Sequence, residues 1–327
     1  MRPSRPAVAI ALLAAALATA GCGIGAGEGV GEVSLTVTRD YGGERLFGPE
    51  REEARESDTV MRLLERNAEI STRYGGEFVS SVDGLAQARA GGGSFDWLYY
   101  VNGVEASVGA AQYALHGGDA VWWDYRDWSA AQSVPAVVGS WPQPFRDGYD
   151  GKRRPVAVEC PDRGAACREV RSRLAGSSVA LAGRPGGPAS NEQSAEGSGS
   201  GGVDGGAIRV LVGPWAAVRE DPAVRQIERG PQASGVFADF EHGGAGEDML
   251  VGLDENGGEA RRFGRAAGLV AATRRYGAPP VWVVTGPTQV GVCAAAHLLN
   301  AADLRDHYAV AVEGDAETPL PVGAGAG

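Results

Sequence analysis

Apolar and polar positions alternate with a period of two at Val33, Leu35 and Val37 against Ser34, Thr36 and Thr38, which predicts a half-buried strand. After Ser57-Asp58, which can cap a helix, Val60, Leu63, Leu64 and Ala68 recur at helical spacing. Phe78 to Val82 predicts a second strand. Trp97 to Val101 predicts an aromatic strand that runs into Asn102-Gly103 and Val104. Asn-Gly in that setting signals a hairpin, because both residues tolerate positive φ. Gly117-Gly118-Asp119 predicts a further turn, launching a strand in which Val121, Trp123 and Tyr125 share one face and Trp122, Asp124 and Arg126 the other. One helix over a mixed, mostly antiparallel sheet is an α+β arrangement of the β-grasp kind, assigned to residues 32–128.

The pattern then changes. Residues 129–153, with Pro135, Pro142, Pro144 and Gly148, read as a connector. Val156 to Glu159, a helix from Arg168 to Leu174, and Val179 to Leu181 open an α/β unit over 154–182. Residues 183–206 are so rich in Gly and Ser, and so poor in apolar side chains, that they read as a disordered linker inserted into that unit. Over 207–314, strands are expected at Ile208 to Val212, Gly235 to Phe240, Met249 to Leu253, Val281 to Thr285 and Tyr308 to Val312. Helices are expected at Pro222 to Arg229, Glu259 to Tyr276 and Thr288 to Asn300. Residues 315–327 read as a tail. The expected fold is α+β: a β-grasp-like N-terminal domain followed by a separate α/β C-terminal domain with a covered sheet. No internal repeat is convincing.

The first 22 residues change the picture. Arg2 and Arg5 precede an apolar run from Ala7 to Ala18, closed by Thr19-Ala20-Gly21-Cys22. That is the layout of a cleaved export signal, too short to span a bilayer. Ala-Gly-Cys after the apolar run resembles the lipobox of bacterial lipoproteins, which implies that the Cys22 thiol is diacylated and becomes the new N-terminus; Thr19 stands where that family prefers Leu. Two acyl chains suffice for stable anchoring. The expected location is the extracytoplasmic face of a cell membrane, with 23–31 as a flexible tether. Charge agrees with export into solvent: 30 basic against 41 acidic residues give −11 over 327 residues, which disfavours nucleic acid as a partner.

Of four cysteines, Cys160 and Cys167 are spaced to close a small disulfide loop in an oxidising compartment. A metal pair is the alternative, but no nearby His or Cys completes a tetrahedral set. Cys293 falls in an apolar helical pattern and reads as a small buried hydrophobe. Catalytic constellations are missing: no His-Glu-x-x-His, no Gly-x-Ser-x-Gly. Gly286 to Gly291 has the glycine spacing of a phosphate loop, but Val292 and Cys293 stand where its Lys and Ser/Thr would be. His116, His242, His297 and His307 are scattered, and Glu247-Asp248 reads as a loop. No metal, required cofactor or enzymatic activity is expected.

The segment WLYYVNGVEASVGAAQYALHGGDAVWWDY, residues 97–125, follows the layout W-x-Y-x-V-N-G-V, then small residues, then G-D-x-V-x-W-x-Y. It resembles the transcobalamin C-terminal-like domain of bacterial surface lipoproteins, and the upstream DTVMRLL and GGEFVSSVDGLA stretches fit. The resemblance covers less than a third of the chain. It implies a soluble-ligand-binding β-grasp-like domain; in transcobalamin and intrinsic factor that domain covers one face of cobalamin. The helical barrel those proteins place before it has no counterpart here, nor has the C-terminal α/β stretch a counterpart there. Aromatic faces suit a corrin, which makes Trp97, Tyr99, Tyr100, Asn102, Trp122, Tyr125 and Trp128 ligand-binding candidates. Alternation sends about half of the aromatics into a core, and Asn102 is explained by its turn. Trp122, beside Asp124 and Arg126, is the expected exposed contact. The resulting expectation is a membrane-anchored lipoprotein that captures cobalamin or a related soluble ligand for a membrane importer. The alternative is a non-catalytic surface module for protein or polymer contact.

Overall fold

The computed structural model describes residues 27–90, 92–182, 206–242 and 248–325. Cys22 and the leader therefore lie outside the described residues, as does the Gly/Ser-rich stretch apart from Gly206. The fold is mixed α+β, rich in sheet and poor in helix. Among the described residues no helix is long and apolar enough to cross a membrane.

The N-terminal part contains β1 (Gly29–Arg39), β2 (Glu44–Arg55), α1 (Val60–Asn67), β3 (Ile70–Arg73), β4 (Phe78–Val82), β5 (Leu85–Ala86), β6 (Ala88–Ala90), β7 (Gly93–Val101), β8 (Val104–Glu105) and β9 (Ala120–Asp127). The main sheet runs β2-β1-β9-β7-β6, with β1 and β9 parallel and β8 paired to β7. Inward-pointing Val33, Leu35, Val37, Val121 and Trp123 bury against Val60, Leu63 and Leu64 of α1. Thr59, not Ser57-Asp58, caps α1: its hydroxyl accepts from the Arg62 N–H at 3.3 Å, while Asp58 accepts from the Arg55 N–H and from Arg66. The Asn102-Gly103 turn forms as expected, with φ of 56° and 73° and Val101 paired to Val104. Two readings need correction. Gly29 to Gly31, expected in the tether, belong to β1 and pair with β2. The strand β2 was not foreseen, because its acidic, Pro-interrupted sequence has no alternation; charge and Pro49 are what an exposed edge strand carries to block pairing with other chains.

The C-terminal part contains β10 (Val156–Glu159), α2 (Ala165–Gly176), β11 (Ile208–Val212), α3 (Trp215–Val218), α4 (Pro231–Ser234), β12 (Ala238–His242), β13 (Asp248–Leu253), β14 (Glu259–Arg262), β15 (Gly268–Thr273), β16 (Val281–Thr285), α5 (Gln289–His297), α6 (Ala301–Leu304), β17 (Ala309–Glu313) and β18 (Ala316–Leu320). Its large sheet runs β10-β11-β16-β15-β17-β18: the first three strands are parallel, the rest antiparallel. The packed helices α2 and α5 cover one face, burying Val170, Leu174, Val292 and Ala295 against Val210, Trp282 and Val284. A small sheet, β12-β13-β14, contributes to the core on the other face.

Four further expectations fail here. The Glu259 to Tyr276 helix is instead β14 and β15. All six residues of β15 are buried, so no polar position remains to reveal a period of two. The tail at 315–327 begins with β18, whose Leu320 is buried against the small sheet and β17. The connector at 129–153 is core: Val134, Val137, Val138, Trp141, Phe145 and Tyr149 are all buried. Nor is the C-terminal domain separate. Tyr41, Tyr100 and Trp122 from the N-terminal sheet share one apolar cluster with Val137, Phe237, Leu250 and Tyr308.

Cys160 and Cys167 form the expected disulfide, closing the loop from the end of β10 onto the first turn of α2. A closed loop this short restricts the unfolded chain by about 2–3 kcal/mol. Replacing both cysteines with serine is therefore expected to lower stability by about that amount, read as a fall in denaturant midpoint that reductant does not add to. A midpoint equal to wild type would show that the disulfide contributes nothing.

Candidate ligand cleft at the junction of the two sheets

The face of β9 that carries Trp122, Asp124 and Arg126 meets the C-terminal sheet. Asp124 is fully buried, and every donor around it is fixed. Its carboxylate accepts from the Thr38 hydroxyl at 2.5 Å, the Gly42 N–H at 3.1 Å and the Tyr308 hydroxyl at 2.9 Å. The Trp122 indole N–H donates to Thr38 at 2.8 Å, and the Tyr100 hydroxyl donates to that of Tyr308 at 3.2 Å. Burial pushes the Asp124 carboxyl above its ordinary value, against the opposing pull of these donors and of Arg126. Burial likewise pushes the Tyr41 phenol up to about 12. Arg126 is also fully buried; one guanidinium nitrogen donates to the carbonyls of Asp127 and Ala131, and the group lies over the Tyr41 ring at 5.3 Å. Desolvation works against its charge, but Tyr100, Tyr308, Tyr41 and Asp124 hold it protonated.

Beside this network a cleft of about 140 Å³ lies between the N-terminal sheet and the segments 139–141 and 301–306. One wall is Ser34 and Thr36 of β1 with Trp122 of β9; the other is Ser140, Trp141, Arg305 and Asp306. An ion pair between Arg45 and Asp306 spans the two parts. A shallower hollow of about 490 Å³ adjoins it through Trp141 and Ala301, with Arg146, Arg173 and Asn300 on its rim. The cleft thus offers aromatic edges, hydroxyls and one guanidinium, groups that together suit a small polar ligand with an anionic or amide group. Among the described residues no group of three or more His, Cys, Asp or Glu side chains is placed to hold a metal ion.

The aromatic candidates do not converge on one surface. Trp97 and Tyr125 are buried on the α1 side, their polar atoms donating to the Leu85 and Ala86 carbonyls. Tyr99, half-buried on that side, donates to the Val108 carbonyl and packs on Trp123. Tyr100 and Trp122 are buried on the junction side. The expected exposure of Trp122 is corrected: it is 3% exposed, because the polar face it shares is covered by a second sheet rather than by water. Asn102 is fully buried, accepting from the Ala120 N–H and donating to Asp119 and the Gly148 carbonyl, so it fastens its turn to the former connector. Trp128 is half-buried just beyond β9. The half-exposed His116 lies 3.6 Å from Asp119, a local turn contact. Cys293 is partly rather than fully buried. The sequence reading missed Trp141, Arg305 and Asp306. Trp141-Pro142 falls in a stretch that composition marks as linker, and Arg305-Asp306 in a polar run without a motif.

His307 follows Asp306 at the cleft, and burial holds its imidazole below the ordinary value of 6.5, against a smaller opposing pull from Asp306. A folded value below the unfolded one gives stability that is present above the unfolded value and lost as pH falls through the folded one. The denaturant midpoint is therefore expected to fall from about pH 7 to about pH 5 by more in wild type than in His307→Gln. Parallel pH profiles for the two proteins would contradict this.

No protein among the curated ones matches the chain. Among solved structures, similarity is found to a crystal structure described as that of "a putative metal binding protein from Ruminococcus gnavus", at 15% identity and a TM-score of 0.23, covering 30% of this chain and 97% of that one. Residues 57–127, from the approach to α1 to the end of β9, match the family model described as "Domain of unknown function (DUF4430)".

Proposed function

We propose that the chain is an exported, membrane-anchored binding protein whose small-molecule ligand enters the cleft between the N-terminal sheet and the segments 139–141 and 301–306. The observation that carries this reading is the composition of the cleft: both parts contribute a wall, and aromatic, hydroxyl and guanidinium groups converge on one space. The reading is of a binder and not of an enzyme, since among the described residues Arg305 and Asp306 are the ionic side chains on its walls and Asp306 is committed to Arg45. Export is supported by the leader pattern and by the disulfide, which persists in an oxidising compartment. Acylated Cys22 would keep the cleft beside the membrane, where captured ligand can pass to an importer.

A cobalamin remains the finer form of the proposal, with a specific geometry. The cleft is below the roughly 300–1,000 Å³ of pockets that enclose drug-sized ligands. A corrin would therefore rest over the cleft mouth and the adjoining hollow, with an edge amide in the cleft.

Two measurements test these statements. In titrations of the full chain carrying Cys22→Ser with hydroxocobalamin and smaller soluble vitamins, one ligand is expected to raise the melting temperature. Thr36→Trp, which fills the cleft, is expected to weaken that ligand by about tenfold or more. Absence of any binder, or equal binding by Thr36→Trp, would sink the cleft reading. In bacterial cells, wild type is expected to take up a metabolic acyl label that Cys22→Ser does not; equal labelling would remove the anchor.

A further inference from the structure

The chain is acidic, and many of its described arginines sit against a carboxylate: Arg39 with Glu44, Arg66 with Asp58, Arg209 with Glu159, Arg262 with Glu241. Other basic side chains lack such a partner, Arg168 and Arg171 donating to backbone carbonyls instead, but one group of them lies on two turns that meet at a single ring. Among the described residues, Lys152, Arg154, Arg274 and Arg275 have no carboxylate within ion-pairing distance. Lys152 is the one lysine in the sequence.

Two turns bring Arg154 and Arg274 onto one ring, and Lys152 and Arg275 adjoin them in the chain. Tyr149 and Lys152 exchange backbone hydrogen bonds of 3.2 and 3.1 Å across Asp150-Gly151, whose φ values of 53° and 64° make the tight reversal possible. Lys152, Arg153 and Arg154 follow that turn, the first two exposed and Arg154 partly buried. The connection from β15 to β16 supplies Arg274 and Arg275, and Arg274 is fixed by its Nε donating to the Ala278 carbonyl at 2.6 Å. Tyr149 joins the two turns. Its buried ring lies 4.3 Å from the guanidinium of Arg154 and 5.3 Å from that of Arg274. The ring attracts each cation through its face, but it cannot neutralise two.

We propose that this cluster binds a phosphate-type oxyanion. The Nε–H of Arg154 is buried and has no acceptor among the described residues. In an arginine, Nε and Nη2 form the fork that a tetrahedral oxyanion takes with two parallel hydrogen bonds, and Arg274 shares the Tyr149 ring with Arg154. The neighbouring acids are committed elsewhere or lie outside ion-pairing range. Asp147 pairs with Arg146 and Arg153, Glu105 accepts from Ser133, and the Asp150 carboxylate pairs with none of the four cations. An acidic chain disfavours an extended polyanion, whose remaining charges would meet carboxylates, so the ligand carries a single phosphate-type group. That group is either free phosphate or the headgroup of an anionic lipid.

The test uses the full chain carrying Cys22→Ser. Inorganic phosphate is titrated calorimetrically at low ionic strength, and co-sedimentation is measured with phosphatidylcholine vesicles with and without phosphatidylglycerol. Wild type is expected to bind phosphate, and Arg154→Gln and Arg274→Gln each to weaken it by about tenfold, while Arg262→Gln on the opposite kind of site, an arginine already paired, leaves it unchanged. Binding confined to phosphatidylglycerol vesicles and lost in the same two variants assigns the site to lipid headgroups. Arg275→Gln alters only an exposed side chain, so it remains informative if Arg154→Gln does not fold, and it is expected to weaken binding by about threefold. Failure of wild type to bind either probe, or binding by Arg154→Gln, Arg274→Gln and Arg275→Gln equal to wild type, overturns the proposal.

Discussion

The hydrogen bond from the Tyr308 hydroxyl to the buried Asp124 carboxylate crosses from one sheet to the other, and the arrangement of the molecule depends on it. A carboxylate without solvent is costly unless its lone pairs are filled. Two donors, Thr38 and Gly42, come from β1 and the turn beyond it; the third, Tyr308, comes from the entry to β17. Asp124 is thus fully satisfied only when the C-terminal sheet is docked in one position. Arg126 places a second buried charge in the same layer, so the junction is specified by polar geometry as well as by apolar contact. Apolar contact alone would tolerate sliding, whereas a fixed set of donors around one carboxylate does not.

The same docking creates the cleft. Tyr308 is two residues from Asp306 and three from Arg305, so fixing the tyrosine brings both to the β1–β9 face. Gly139 lies so close to the 306–307 backbone that an added Cβ would sit 2.8 Å from the His307 nitrogen, and this contact seats Ser140 and Trp141 opposite Thr36. The ligand reading therefore rests on the junction and not on the aromatic sheet as a surface. In the sheet, Trp97, Tyr125 and Trp123 serve the α1 core, and Tyr100 and Trp122 serve the docking layer. The Tyr149 cluster is built differently, from two tight turns and a shared ring.

Local features were legible wherever the chain states its own answer. The alternation at Val33, Leu35 and Val37, the apolar runs at Ile208 to Val212 and Val281 to Thr285, the Asn102-Gly103 turn and the Cys160–Cys167 spacing all depend on near neighbours, and all appear in the structure. Features set by distant partners were not legible. The residues of β15 are buried on both faces and show no period, and β18 is a strand only because β17 offers it an edge. The proline-marked stretch around Trp141 is core because two sheets close over it.

Trp122, Asp124 and Arg126 show where that division lies. A period of two fixes that these three share a face and that Val121, Trp123 and Tyr125 share the other, because successive side chains of a strand must point oppositely. The sequence by itself determined that separation. Whether the polar face meets water or a second sheet depends on Tyr308, far along the chain, whose hydroxyl supplies the donor that makes burial of Asp124 tolerable. Only the tertiary structure decided it, since the alternation of one strand carries no information about the partner that will satisfy it.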